Sequence, residues 1–197
     1  KKKKNWINIY LPTQENNMSQ LSEFRASKDE FLTKDQHSPL THDQKHTFSG
    51  LEYFPENPDL RFELEIEEFT EKDTIEMQTS TGDVQQHTRY GKIHFEVDGQ
   101  HAALTLYKDS HGFFLPFVDD LAGKETYGAG RYLEPKALMG GKVLVDFNYA
   151  YNPYCAYNDL YSCPLTPWEN RLKVSIKAGE KLPTGDWAKL EAYQVKE

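Results

Sequence analysis

The sequence has no long apolar run: mean hydropathy is -0.77, and nothing approaches the roughly 18 consecutive apolar residues a membrane-spanning helix needs. A transmembrane helix is therefore excluded. Positive charge is also short, with 23 Lys and Arg against 31 Asp and Glu and a net charge of -8. The chain thus lacks the basic surface from which sequence-independent nucleic-acid binding draws its counterion release, and neither DNA nor RNA is an expected partner. Cysteine is scarce: Cys155 and Cys163 form no CxxC pair, and none of the seven histidines stands in an HExxH or similar spacing, so no metal site is expected. Gly128-Ala129-Gly130 lacks the later glycine and the strand-to-helix frame of a dinucleotide site, and neither a βαβ rhythm nor an internal repeat is present. The residues name no cofactor, no reaction and no oligomeric state.

The basic run Lys1-Lys2-Lys3-Lys4 is not followed by the apolar stretch of a secretory signal. Residues 1–17 are expected to be a disordered or leader-derived end, and the protein a soluble, cytoplasmic one. Residues 18–197 are expected to form a single globular domain, since 197 residues suit one domain or two small ones.

What is present is mostly written in period two. A helix is expected first, over residues 18–32, where Leu21, Phe24, Phe31 and Leu32 share one side of a 3.6-residue period and Asn17 with Gln20 resembles a capping box. From Thr33 to Thr47 the chain is polar and reads as a connecting arm without a second helix. Phe62, Leu64 and Ile66 then alternate with glutamates, the mark of a half-buried strand, and the segments 75–79 and 84–88 flank a turn composition at Ser80-Thr81-Gly82-Asp83. Asp98-Gly99 suits a type I′ hairpin turn pairing Val97 with Gln100, Phe95 with Ala102 and Ile93 with Leu104, which puts the apolar residues on one face. Val143 to Phe147 reads as a strand buried on both sides, and Leu172, Val174 and Ile176 as a last half-exposed strand. The expected fold is mostly β, an antiparallel barrel or sandwich with one N-terminal helix, with an α+β arrangement as the fallback.

Polar chemistry concentrates between Pro116 and Lys181, where Asp146 and Asn148 sit in an otherwise apolar strand and require partners if both faces are covered. The runs Phe48-Ser49-Gly50-Leu51-Glu52-Tyr53-Phe54-Pro55, Gly130-Arg131-Tyr132-Leu133, Tyr151-Asn152-Pro153-Tyr154-Cys155-Ala156-Tyr157-Asn158, Cys163-Pro164-Leu165, Glu169-Asn170-Arg171-Leu172 and Ala178-Gly179-Glu180-Lys181 resemble the bacterial and archaeal family known as domain of unknown function 1684. The resemblance covers most of the chain after the leading helix. It marks out the boundaries of a site and implies little about activity.

The leading functional expectation is a small-molecule-binding β domain whose pocket is polar and aromatic-lined. Arg131 or Arg171 would offer a planar fork to a polar or anionic ligand such as a carboxylate, phosphate or sugar. Asp146, Asn148, Asn152, Asn158, Glu169 and Asn170 would supply polar contacts, and Tyr151 and Tyr157 stacking faces. The alternative is a hydrolase- or transferase-like enzyme with Cys155 as nucleophile or Asp146 as general base. A further alternative is a structural or partner-binding domain without catalysis, in which Glu169-Asn170-Arg171 is only a salt-bridged corner. For Cys155 and Cys163, paired reduced thiols, a disulfide, metal ligation and a catalytic thiol all stay open.

Overall fold

In the computed structural model, residues 19–184 are described; the expected end at 1–17, with Asn17 of the anticipated cap, lies outside them. Helix α1 spans Gln20–Lys34 and is capped by Ser19, whose hydroxyl accepts from the Ser22 N–H. It buries Leu21 and Leu32. A second helix, α2, spans His42–Thr47, contrary to the expected arm. It buries nothing, so no amphipathic stripe announces it, but Thr41 and Gln44 form a reciprocal capping box that satisfies two orphan N–H groups.

The strands are β1 Arg61–Glu65, β2 Glu67–Glu68, β3 Thr74–Gln78, β4 Val84–Val97, β5 Gln100–Asp109, β6 Gly112–Phe117, β7 Arg131–Leu133, β8 Lys136–Ala137 and β9 Lys142–Asp146. They form two antiparallel sheets, a small one in the order β1-β9-β8 and a larger one in the order β2-β4-β5-β6-β7 with β3 also on β4. Among the described residues the ladders do not close on themselves into a barrel, and the architecture is sandwich-like. The hairpins follow the sequence. β3 and β4 pair Thr74 with Thr88 and Gln78 with Val84, and β4 and β5 pair Ile93 with Leu104, Phe95 with Ala102 and Val97 with Gln100. Asp98 and Gly99 both take positive φ, 50° and 74°, as a type I′ turn requires.

The main core lies between the two sheets: Phe62 of β1 sits 5.4 Å from Phe95 of β4, and both rings meet Phe147. Ile93, Leu104, Leu106, Leu115, Val143 and Val145 complete its centre, each buried side chain contributing roughly 1.5–3 kcal/mol. On the other face of the larger sheet a second cluster joins Leu32 of α1 to Tyr107, Phe114, Tyr132, Cys155, Tyr157 and Cys163.

Two strand expectations are corrected. β9 has one dry face, Val143 and Val145, whereas Leu144 and Asp146 are only half-buried, because α1 stands off from that face and leaves a cleft. The Leu172–Ile176 segment turns Val174 and Ile176 inward as its alternation implies, but forms no ladder strand. Its backbone bonds instead run piecemeal along residues 118–120: Val118 and Arg171 make one isolated parallel bridge, in which the Leu172 N–H donates to the Val118 carbonyl, the Asp120 N–H donates to the Val174 carbonyl, and the Ile176 N–H goes to the Asp119 carboxylate at 2.9 Å.

Candidate functional site

The sequence-predicted residues fall into four places. Three are knots that join distant parts of the chain.

The first knot is Arg131. Gly130 delivers it to β7 with φ of 103°, at a point where a Cβ would come within 2.6 Å of both the Phe117 carbonyl and the Thr166 hydroxyl. The guanidinium, 1% exposed, donates to the carbonyls of Ile176, Ala178 and Glu180 and to Asp119. Asp119 also accepts from the Thr126 hydroxyl at 2.6 Å. These bonds take up three carbonyls at the end of the 172–180 segment, whose other backbone groups pair only in isolated bonds and bridges.

The second knot is the 3₁₀ turn Trp168–Asn170. The Asn170 side chain accepts from the Thr105 N–H at 2.7 Å and donates to the carbonyls of Thr105 and Pro116, stitching β5 to β6 beyond the end of their ladder. Glu169 accepts from Nε and one Nη of Arg89 at 2.9 and 2.6 Å and from the Tyr107 hydroxyl at 2.6 Å. Arg171 stacks on the exposed Trp168.

The Arg89 contact, reinforced by the Tyr107 hydroxyl, pulls the Glu169 carboxyl down to about 2. Its folded value lies below its unfolded one, so its stabilising contribution is present above about pH 4.5 and is lost as pH falls toward 2. Glu169→Gln is expected to lower stability at pH 7 by about 1 kcal/mol, well below the full shift because the pair is a third exposed and screened by solvent. The gap to the parent closes between about pH 4.5 and 2. Urea midpoints measured across that range check this, and a gap that persists at pH 2 refutes it.

The third knot surrounds Glu180, which is fully buried. One carboxylate oxygen accepts from the Asn152 N–H at 2.7 Å and the Tyr157 hydroxyl at 3.0 Å; the other meets the Lys28 ammonium of α1. Burial, with the Glu180 charge beside it, pushes the Tyr157 phenol well above its usual range. The Asn152 amide donates to the Lys181 carbonyl, and the Asn158 amide to that of Pro39. Asn148 closes a similar loop, exchanging two hydrogen bonds with the Asn57 backbone while donating to Asp146.

The fourth place is open: a cleft of about 880 Å³ between α1, the β1-β9-β8 sheet and the tyrosine-rich loop. Seven aromatic side chains line it, Phe24, Phe31, Tyr132, Tyr149, Tyr151, Tyr154 and Tyr161, together with the charged groups Lys28, Arg61, Glu134, Lys136 and Asp146. Of the sequence-predicted residues it contains Asp146 and Tyr151. The Tyr151 hydroxyl donates to Glu134, and the Lys28 ammonium lies 4.5 Å from the centre of its ring. Burial, with Glu134 beside it, raises the Tyr151 phenol, which stays neutral. Arg61 is half-exposed and reaches Asp146 at 3.5 Å.

Cys163 also lines the cleft, and Cys155 lies behind it with its N–H donating to the Cys163 sulfur at 3.2 Å; the two are not disulfide-bonded. The contact with Cys155, and then burial, raises the Cys163 thiol, disfavouring the thiolate that nucleophilic chemistry needs.

Sequence reasoning missed the helix and sheet residues of the cleft: Phe24, Lys28, Phe31, Arg61 and Lys136. The one available signal was the apolar side of α1, wider than Leu21 and Leu32 alone require. No group of three or more metal-ligating side chains occurs among the described residues.

Comparison with known proteins adds kinship. A family model described as "Protein of unknown function (DUF1684)" matches residues 46–181. The chain is similar to an uncharacterized protein from Haloarcula marismortui, whose structure was solved by solution NMR, at 34% identity and a TM-score of 0.64, covering 82% of this chain and 92% of that one. No curated protein matches.

Proposed function

The chain belongs to the DUF1684 family, and from that premise we propose that it is a small-molecule-binding β domain whose ligand occupies the cleft beneath α1. The observation that carries this reading is the cleft wall itself. Seven aromatic rings converge on a space of about 880 Å³, within the size range of small-molecule sites, while charged groups stand among them. Tyrosine rings exposed in a concavity give up little entropy on binding and offer flat faces, so the ligand has a planar or apolar body. Lys28, Arg61, Glu134 and Asp146 orient its polar groups. The loop bearing Tyr151, Tyr154 and Tyr161 is tied down by Glu180, which accepts from the Asn152 N–H and the Tyr157 hydroxyl, and Arg131 in turn holds the Glu180 carbonyl, which gives those buried polar residues a supporting part.

Ser27 is an exposed residue of α1 on the cleft wall, so Ser27→Trp fills the space without disturbing the core. The uncharged dye N-phenyl-1-naphthylamine is expected to bind the parent with enhanced fluorescence and to bind Ser27→Trp at least about tenfold more weakly, at an unchanged thermal midpoint. Parent-like binding by the variant, or no binding by the parent, overturns the reading.

A further inference from the structure

A second cleft, of about 730 Å³, adjoins the first, and Glu134 and Lys136 line both. Its walls come from β8 and the turn into β9, from Ile66 and Glu68, and from the β5–β6 hairpin. Its chemistry differs from that of its neighbour. Three lysines line it, Lys108, Lys136 and Lys142, with His111 at its edge, in a protein whose net charge is -8.

The two carboxylates in the same walls are already occupied. Glu68 accepts from the Lys72 ammonium at 2.7 Å and from the Tyr90 hydroxyl at 3.0 Å, and Glu134 accepts from the Tyr151 hydroxyl. None of the three lysines has a carboxylate within 4 Å among the described residues. Lys108 is also positioned: its ammonium lies 5.3 Å from the Tyr90 ring centre and 5.6 Å from that of Phe113, which holds the stem down and the charge at the cleft. Three cations gathered in one concavity repel one another unless an anion joins them.

We infer that the second cleft receives the anionic group of the ligand whose body lies in the first. The ligand is then a small organic anion with a planar or apolar body joined to a sulfonate-, phosphate- or carboxylate-like group. The body packs on the tyrosines, and the charge crosses at Lys136 to meet Lys108 and Lys142. This inference rests on the proposed function and narrows it to a ligand class.

The test uses two dyes that share one body. N-phenyl-1-naphthylamine is uncharged, and 8-anilinonaphthalene-1-sulfonate adds a sulfonate. Lys108 and Lys142 are exposed and lie outside the first cleft, so Lys108→Gln/Lys142→Gln folds as the parent does, which the thermal midpoint verifies. The parent is expected to bind the sulfonate dye more tightly than the uncharged one, by a margin that shrinks with added salt. This double variant is expected to lose about tenfold in affinity for the sulfonate dye and nothing for the uncharged dye. Equal sulfonate-dye affinity in parent and variant overturns the anionic assignment while leaving the first cleft as a binding site. If the parent fails to bind the uncharged dye, the cleft reading falls, and this inference falls with it. Parallel losses for both dyes also overturn it, since they report a general change in the wall and not recognition of charge.

Discussion

Replacing Arg131 with Met is expected to destabilise the protein by at least about 3–5 kcal/mol, the range for removing one partner from a buried charge pair. The guanidinium is 1% exposed and lies 5.2 Å over the Phe117 ring, so water cannot take its place. Met fills much of the volume and supplies no donor. The carbonyls of Ile176, Ala178 and Glu180 lose their donor at once, and Asp119 retains only Thr126 and the Ile176 N–H around an uncompensated charge. Each orphaned acceptor adds about 1–3 kcal/mol if the segment stays in place, so the 172–180 segment is expected to detach first. For a chain of this size the thermal midpoint falls by about 10 °C or more. Arg131→Lys is the sharper control: one ammonium cannot reproduce the planar fork that reaches several acceptors, so it too is expected to lose most of this stability. Urea denaturation of both variants decides the matter. A Lys variant as stable as the parent would show that charge alone matters and that the fork does not.

Arg131 also shows how sequence and structure diverge here. Its importance was visible as an arginine directly after Gly128-Ala129-Gly130 in a family-like motif, but its partners are main-chain carbonyls some 45 residues away, which side-chain patterns do not record. The Asp98-Gly99 hairpin was legible in full because turn chemistry and face alternation are both local and agree. The Leu172–Ile176 alternation gave burial correctly and hydrogen bonding wrongly. Period two states which side chains face inward and says nothing about whether a neighbouring strand or a buried arginine receives the backbone. Helix α2 failed for the opposite reason: it has no buried face, and its only signal is the four-residue cap Thr41 to Gln44. The cleft was half legible. Asp146 and Tyr151 lie in the dense segment, whereas Phe24, Phe31 and Arg61 reach it through tertiary packing that no local spacing encodes.

The second large effect is expected at Glu180, the residue that fastens α1 over the cleft. Glu180→Gln keeps an acceptor for the Asn152 N–H and the Tyr157 hydroxyl but removes the charge opposite Lys28. The expected loss is about 3 kcal/mol, the lower end for breaking a buried pair, because the Lys28 side chain is 14% exposed and its stem can carry the ammonium toward the cleft mouth. Lys28→Met is the more damaging change at the carboxylate, since Glu180 is fully buried and would then hold its charge on two hydrogen bonds. The double variant Lys28→Met/Glu180→Gln removes both charges together, so its destabilisation is expected to be smaller than the sum of the two single changes by about 1–3 kcal/mol. Additive losses would show that the two residues act independently and that this ion pair does not anchor the helix. The same variants bear on the cleft. Lys28 both pairs with Glu180 and lies against the Tyr151 ring, so releasing it frees one wall of the site. Affinity for N-phenyl-1-naphthylamine is therefore expected to fall in Glu180→Gln even where the protein remains folded, which ties the buried knot to binding through the position of α1 and not through contact with the ligand.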